Sequence, residues 1–327
     1  MEYRSLGNTG LKISSVSLGT WPFGGSWGAV DEDQAMGILH RAVDLGVNFF
    51  DTADVYGDGR SEQLLGRLRT TRDEPFAVAT KVGLRLDPHT ADGYTRSNLR
   101  GFIDRSLGNL RTDRIDLVQL HSPPTDVYYR PEIFAILEDF VADGKVALWG
   151  VSVNRVEEGL KALEYPIIRS IQIVYNIFRQ RPSELLFKEA ERRGVGILAR
   201  LPLASGLLGG RIDQKTRFAE DDHRSYNRNG EQFDRGETFS GVDFTTALGA
   251  IEQLRPLVPS GVTMAQFALR WILMNDAVSC VIPGARRIDQ LEENVRGGEL
   301  APLECGVMPL IDQIYQNRVR TLVHNYW

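Results

Sequence analysis

The sequence predicts an α/β chain folded as a closed (β/α)8 TIM barrel, and three observations carry that reading. Apolar runs bounded by turn residues recur eight times along the 327 residues, each followed sooner or later by a stretch of helical periodicity. Most of these runs are continuously apolar, as in a parallel sheet covered on both faces. No linker divides the chain, so one domain over residues 1–327 is expected, within the length that barrels with insertions reach. An open doubly wound sheet is the competing arrangement.

The elements follow in order. LGNTGLKISSVSLGT places turn chemistry at Asn8 and Gly10 between short alternating runs, an N-terminal β-hairpin feeding a strand at Val16 to Leu18. Asp31 caps a helix with Gln34 three residues on, and Ile38, Ala42 and Leu45 keep helical spacing until Gly46 ends it. GVNFFD is then a strand and SEQLLGRLRT a helix; FAVATK is a strand and SNLRGFIDRSLGNL a helix with Leu99, Ile103, Leu107 and Leu110 on one face. IDLVQLH precedes the helix PEIFAILEDFVADG, which has Pro131 at its start. KVALWGVS precedes RVEEGLKALEY, and SIQIVYN precedes SELLFKEAERRG. VGILARLPL is the seventh strand; TMAQFALRWILMND, the strand AVSCVIPG and the helix IDQLEENVRG complete the cycle.

One segment breaks it. Gly209 to Gly241 is polar and rich in charge, a long loop after strand 7, and a loop of that length is a lid, a binding loop or disordered. FTTALGAIEQLRPL reads as an extra helix, and a C-terminal tail beyond Leu300 lies outside the repeat.

Composition narrows the function. A hydrophobic content of 42% with 25% charged residues suits a globular chain with a large core. A net charge of -5 and a pI near 5.7 argue against nucleic-acid or anionic-membrane partners. Cys280 and Cys305 make no disulfide framework and no zinc-type cluster, so no metal is expected. No signal-peptide pattern and no membrane-length apolar run are present, and a cytoplasmic location is the expectation.

Barrel active sites lie at the C-terminal ends of the strands, so what each strand ends in matters. The second ends at Asp51, with Tyr56 in the following loop; the third ends at Lys81, the fourth at His121, the fifth with Ser152, and the sixth carries Gln172. Singly, Asp51 could cap a turn, Lys81 could reach solvent, and His121 could be structural. Jointly they make chemical sense. A lysine ammonium beside a phenol stabilises the phenolate and lowers its pKa, a carboxylate holds the lysine, and a histidine orients a carbonyl oxygen.

At these residues the chain resembles the aldo-keto reductases, of bacterial type and with similarity to the branch that also contains potassium-channel β-subunits. FFDTADVYGDGRSEQLLG is similar to the family's second-strand signature, RIDLVQLHSPP to its fourth-strand signature and IPGARRIDQLEEN to its C-terminal cofactor signature. The resemblance implies a catalytic tetrad of Asp51, Tyr56, Lys81 and His121, with Tyr56 as proton donor to a small-molecule carbonyl substrate. It implies hydride transfer from a nicotinamide cofactor bound without a Rossmann fold, and no GxGxxG follows the first strand. Cofactor contacts implied are Thr20, Trp21, Ser152, Gln172, Arg200, Pro202, Leu203, Ser205, Gly206, Leu208, Gly284, Arg286, Gln290, Glu293 and Asn294. The oligomeric state is not given.

The chain departs from the family pattern in three places. After Ser152, Val153 intervenes before Asn154, which either moves in to the nicotinamide, loses a hydrogen bond, or caps the next helix. Arg200 stands where many relatives stack an aromatic. Its guanidinium either lies against the ring and disfavours the cationic oxidised form or turns away to a carboxylate. Gly284 and Gln290 replace a phosphate-binding lysine and arginine; Arg286 and Arg287 are expected to supply that charge to a 2′-phosphate, so NADPH is preferred to NADH. Trp21, Trp27, Tyr128 and Tyr129 are expected in an aromatic substrate pocket at the barrel mouth. Two rivals remain at this stage: a cofactor-sensing regulatory subunit with slow turnover, and a barrel lyase or hydrolase. The second lacks its metal-type cluster and carboxylate pair.

Overall fold

A computed structural model describes residues 1–25 and 30–327. The chain opens with β1 (Tyr3–Ser5) and β2 (Lys12–Ser14), an antiparallel hairpin with Arg4 opposite Ile13. Eight parallel strands follow: β3 (Leu18–Gly19), β4 (Phe49–Asp51), β5 (Ala77–Val82), β6 (Ile115–His121), β7 (Val146–Ser152), β8 (Ile168–Val174), β9 (Gly196–Arg200) and β10 (Val278–Ile282). They pair in chain order, and bridges from Val16 to Val281 and from Gly19 to Gly284 join β10 back to the β3 edge and close the barrel.

The surrounding helices are α1 (Glu32–Asp44), α2 (Arg60–Arg69), α3 (Arg96–Leu110), α4 (Pro131–Ala142), α5 (Val156–Ala162) and α6 (Leu186–Arg192). After β9 come α7 (His223–Tyr226), α8 (Phe244–Leu254) and α9 (Met264–Leu273), and after β10 come α10 (Ile288–Glu299), α11 (Val307–Ile314) and α12 (Arg320–Val323). Local chemistry sets their ends. Asp31 accepts the Gln34 N–H at 2.7 Å to start α1, and Thr263 and Gln266 form a reciprocal capping box on α9. Every residue of α9 is buried, which suits its run of apolar side chains.

Two cores result. The larger lies between strands and helices. The smaller fills the barrel interior with Phe49, Ala77, Ala79, Leu117, Leu198, Cys280 and Ile282, and Leu6 and Ile13 of the hairpin seal its lower end. Gly7 makes that seal possible: at φ +52°, a Cβ there would lie 2.2 Å from the Gly194 carbonyl oxygen. Cys280 is buried in this inner core, whereas Cys305 is exposed.

The charged segment after β9 is folded. It carries α7 and single turns at Arg235–Glu237 and Phe239–Gly241, with His223, Phe239 and Ser240 buried. Asn176 donates to Leu201 O and Ser240 Oγ, both at 2.8 Å, tying the segment to the end of β8. Trp327 packs beneath it: its indole N–H donates to Asp234 at 2.8 Å, and the Arg179 guanidinium lies 4.1 Å from its ring centroid. No described helix is long and apolar enough to cross a membrane.

Candidate active site

The period of two along each strand builds the site. Phe49, Ala77, Ala79 and Leu117 point into the barrel, so Asp51, Lys81, Gln119 and His121 do as well, at the level where the strands end. Register carries the level sideways, with Lys81 beside Gln119, His121 beside Ser152 and Ser152 beside Gln172. The loop after β4 brings Tyr56 over this floor.

Lys81 Nζ is 2.5 Å from Asp51 Oδ1, 2.8 Å from Thr52 O and 3.4 Å from the Tyr56 hydroxyl. Asp51 Oδ2 accepts from Gln172 at 2.7 Å and from Gln119 at 3.4 Å. The carboxylate is therefore fully engaged, as a buried charge requires. Burial opposes the Lys81 charge, but Asp51 and Tyr56 outweigh it and hold the ammonium's pKa above its ordinary value. The His121 ring lies edge-on to Tyr56, with centroids 6.0 Å apart. Burial first, then Lys81, Arg200 and His89, pushes His121 well down, so it is a neutral imidazole.

Tyr56 corrects an expectation. Burial raises its pKa, and Lys81 opposes the rise without reversing it. Lys81 does lower the phenol's pKa, as the sequence predicts, but burial outweighs it, and the phenol stays protonated.

Above this floor runs a cleft of about 750 Å³. Asp51, Tyr56 and His121 line one end, together with Trp21, whose ring stacks 6.3 Å from that of Tyr56. Ser152, Gln172, Arg200, Pro202, Leu203, Ser205 and Gly206 continue the lining, and Gly284, Arg286, Gln290, Glu293 and Asn294 form the other end. Lys81 sits buried behind the lining. Thr20 and Leu208 do not join it. The Thr20 hydroxyl donates to Asp51 O at 3.0 Å inside the barrel wall, and Leu208 is buried in the larger core.

The departures resolve into specific contacts. Arg200 is held by the Glu237 carboxylate, and it donates to Asn154 Oδ1 at 2.9 Å. The carboxylate compensates the charge expected to repel an oxidised ring. Asn154 turns into the cleft and is not the cap of α5; Glu158 there accepts the Asn154 and Arg155 N–H groups, each at 3.1 Å. Arg287 turns away to Asp289, with two contacts of 2.9 Å, leaving Arg286 in the lining.

The aromatic pocket is smaller than expected. Tyr128 is fully buried in the larger core, its backbone oxygen accepting from Tyr165, and Tyr129 is exposed, with Lys161 over its ring; neither lines the cleft. Adjacent residues in a tight helical turn cannot both face one mouth. Trp27 lies outside the described residues. Phe233 and Tyr226 of the segment after β9 line the cleft instead.

Further functional candidates escaped the sequence reading. Gln119 was legible from the strand period, two residues before His121. Glu237 and Asp234 are carboxylates within a run of charges, with no signal to separate them from the rest. His89 lines the cleft from the loop after β5.

Residues 15–316 match the model of the Aldo/keto reductase family. The chain belongs to that family. An uncharacterized oxidoreductase, YqkF, of Bacillus subtilis is 31% identical over 90% of each chain. A probable voltage-gated potassium channel subunit beta of Arabidopsis thaliana is 31% identical over 97% of this chain and 98% of its own. Among solved structures, the glycerol dehydrogenase AKR11B4 from Gluconobacter oxydans superposes with a TM-score of 0.79 at 29% identity, covering 97% of this chain and 96% of that one. In this aldo/keto reductase, a buried cation held against a protonated phenol, at the end of a long cleft, is an arrangement suited to giving a proton to an oxygen that gains negative charge.

Proposed function

We propose that the protein is an NADPH-dependent carbonyl reductase, converting aldehydes or ketones to alcohols and able to run in reverse. The observation that carries this reading is the Lys81 ammonium shared between Asp51 and the Tyr56 hydroxyl at the end of the cleft.

The residues present suit a nicotinamide dinucleotide. The long cleft has amide and hydroxyl groups of Ser152 and Gln172 near Tyr56. It has a turn with Ser205 at φ 56° and Gly206 at φ +94° in its middle, and Arg286, Gln290 and Asn294 at its far end. Such turns present backbone N–H groups to phosphates. We assign the 2′-phosphate to Arg286 alone, because Arg287 is taken by Asp289. When bound, the cofactor supplies hydride to the carbonyl carbon.

Tyr56 then gives its proton to the carbonyl oxygen. Lys81 stabilises the phenolate as it forms, and Asp51 with Thr52 O keeps Lys81 charged and in place. His121, neutral, offers one ring N–H to the same oxygen without bringing a second cation. Trp21 and Phe233 form apolar walls around the reacting group.

The test is NADPH oxidation with a panel of aldehydes and ketones. Tyr56→Phe should lower kcat by about a hundredfold or more while leaving the NADPH affinity, measured by calorimetry, within about twofold. Arg286→Ala should weaken NADPH about tenfold with NADH unchanged, and Arg287→Ala should do neither. Absence of dinucleotide binding would overturn the proposal.

A second reading is favoured by the similarity to a potassium channel subunit beta: a cofactor-sensing subunit. It expects cofactor retained through purification and turnover slow against all carbonyls tried.

A further inference from the structure

Trp327 is buried, yet it does not line the cleft. Its backbone oxygen accepts from Arg181 at 2.7 Å, and Arg181 is paired with Glu157 of α5. Thus tethered, the indole packs against residues 234–241. A Cβ at Gly236 would lie 2.9 Å from the ring and one at Gly241 2.5 Å from it, so the ring fits because both positions are glycine. Between them stands Glu237, the partner of Arg200. The indole N–H donates at 2.8 Å to Asp234 Oδ1, and the same oxygen accepts the Gly236 N–H at 2.7 Å, which caps the turn Arg235–Glu237. One carboxylate oxygen therefore couples Trp327 to the turn that presents Glu237.

Charge and backbone strain meet at the same place. Arg179 is buried; burial and the Arg200 charge weigh against its cation, while Asp234 and Glu237 favour it. The face of the Trp327 ring, 4.1 Å from that guanidinium, adds an attraction suited to a cation removed from water. Phe239 and Ser240 hold φ values of 52° and 59°, in the left-handed region, before Gly241 at 78°. Residues with side chains keep that conformation only where the surroundings over-determine it. Here Ser205 Oγ accepts the Phe239 N–H at 3.0 Å, Asn176 donates to Ser240 Oγ at 2.8 Å, and the Trp327 ring closes against Gly241.

We propose that Trp327 is a positioning residue that acts through Glu237: the indole fixes the turn that sets the Glu237 carboxylate against Arg200, and so sets how the cleft treats the two redox forms of the dinucleotide. This rests on the reductase reading above. With the turn in place the Arg200 charge is compensated. With the turn released, the cationic ring of the oxidised form meets an arginine that has lost part of its compensation.

The experiment titrates the whole protein with NADPH and with NADP+ by calorimetry. Trp327→Ala should weaken NADP+ about threefold relative to NADPH, and Glu237→Gln alone about fivefold. The double variant should stay at about fivefold, because Trp327 then has no carboxylate to position. Trp327→Phe keeps a ring over Arg179 but drops the N–H to Asp234; it should shift the ratio about twofold, and it decides the matter if Trp327→Ala does not fold. Equal weakening of both forms, an unchanged ratio, or a multiplied shift of about fifteenfold in the double variant overturns this inference and leaves the reductase reading standing. Binding of neither form by the wild type overturns both.

Discussion

Two ion pairs stand on opposite sides of the barrel mouth, one buried and one partly exposed, and they are built differently. Lys81 and Asp51 both sit on strands, 1% and 6% exposed, and strand register alone brings them together. Arg200 sits on β9, but its partner Glu237 belongs to the segment after that strand, and the two are 11% and 19% exposed. The first pair is part of the sheet. The second is an attachment between the sheet and a segment that is also held by hydrogen bonds, by Trp327 and by the burial of Phe239 and Val242 in the larger core. Asp54 is a third case, a buried carboxyl with neither device. Among the described residues its two oxygens have no hydrogen-bond partner, and the nearby Arg85 and Arg105 are both bound to Asp58.

Lys81→Met breaks the first pair and should have the largest effect. It leaves Asp51 charged, buried and without a cation, costing about 3–5 kcal/mol in urea unfolding, and removes the group that steadies the Tyr56 phenolate. A loss below about 1 kcal/mol would mean that Gln172 and Gln119 suffice for Asp51.

Asp54→Asn sharpens the contrast through pH. Burial raises the Asp54 pKa from 3.8 to about 7, with Glu62 adding to the rise. The folded protein therefore holds a proton that the unfolded chain releases, so this stabilisation is full below pH 3.8 and is lost as pH rises to about 7. Wild-type stability relative to the variant should fall across that window, with a slope of up to about 1.4 kcal/mol per pH unit. A flat difference would show that a cation reaches the ionised carboxylate.

Glu237→Gln breaks the second pair at smaller cost, about 1–2 kcal/mol, since both groups keep some solvent. Amide exchange should quicken in residues 233–241 while β4 and β5 stay protected. Uncompensated, Arg200 should then weaken oxidised cofactor about fivefold relative to reduced; in the wild type the two forms should bind alike. Equal binding in the variant would place Arg200 away from the ring.

The same contrast separates what the sequence reveals from what it hides. The barrel was legible because eight apolar runs need two covered faces, and Asp51, Lys81 and His121 because a strand's period and its end locate a side chain without tertiary knowledge. Gln172 and Ser152 followed from the same logic. Glu237 was hidden, since one carboxylate in a segment full of charges becomes special only when the segment folds back on Arg200. Tyr128 and Thr20 failed because a loop position says where the backbone is, not which way a side chain turns. The net direction of the Tyr56 pKa shift was hidden for a related reason: Lys81, which lowers it, is a neighbour that the pattern reveals, while the burial that outweighs it depends on the whole fold around the phenol.

The sealed interior of the barrel also makes the protein its own clock. Cys305 is exposed and should react with a thiol reagent within its mixing time, while Cys280 lies inside the inner core beneath the Leu6 and Ile13 plug, its thiol disfavoured from ionising by burial. Labelling of the second thiol must wait for the staves to part. Its rate counts those openings in the unmodified chain, and the slowing of that rate by an added dinucleotide measures how much a molecule in the cleft grips the whole barrel.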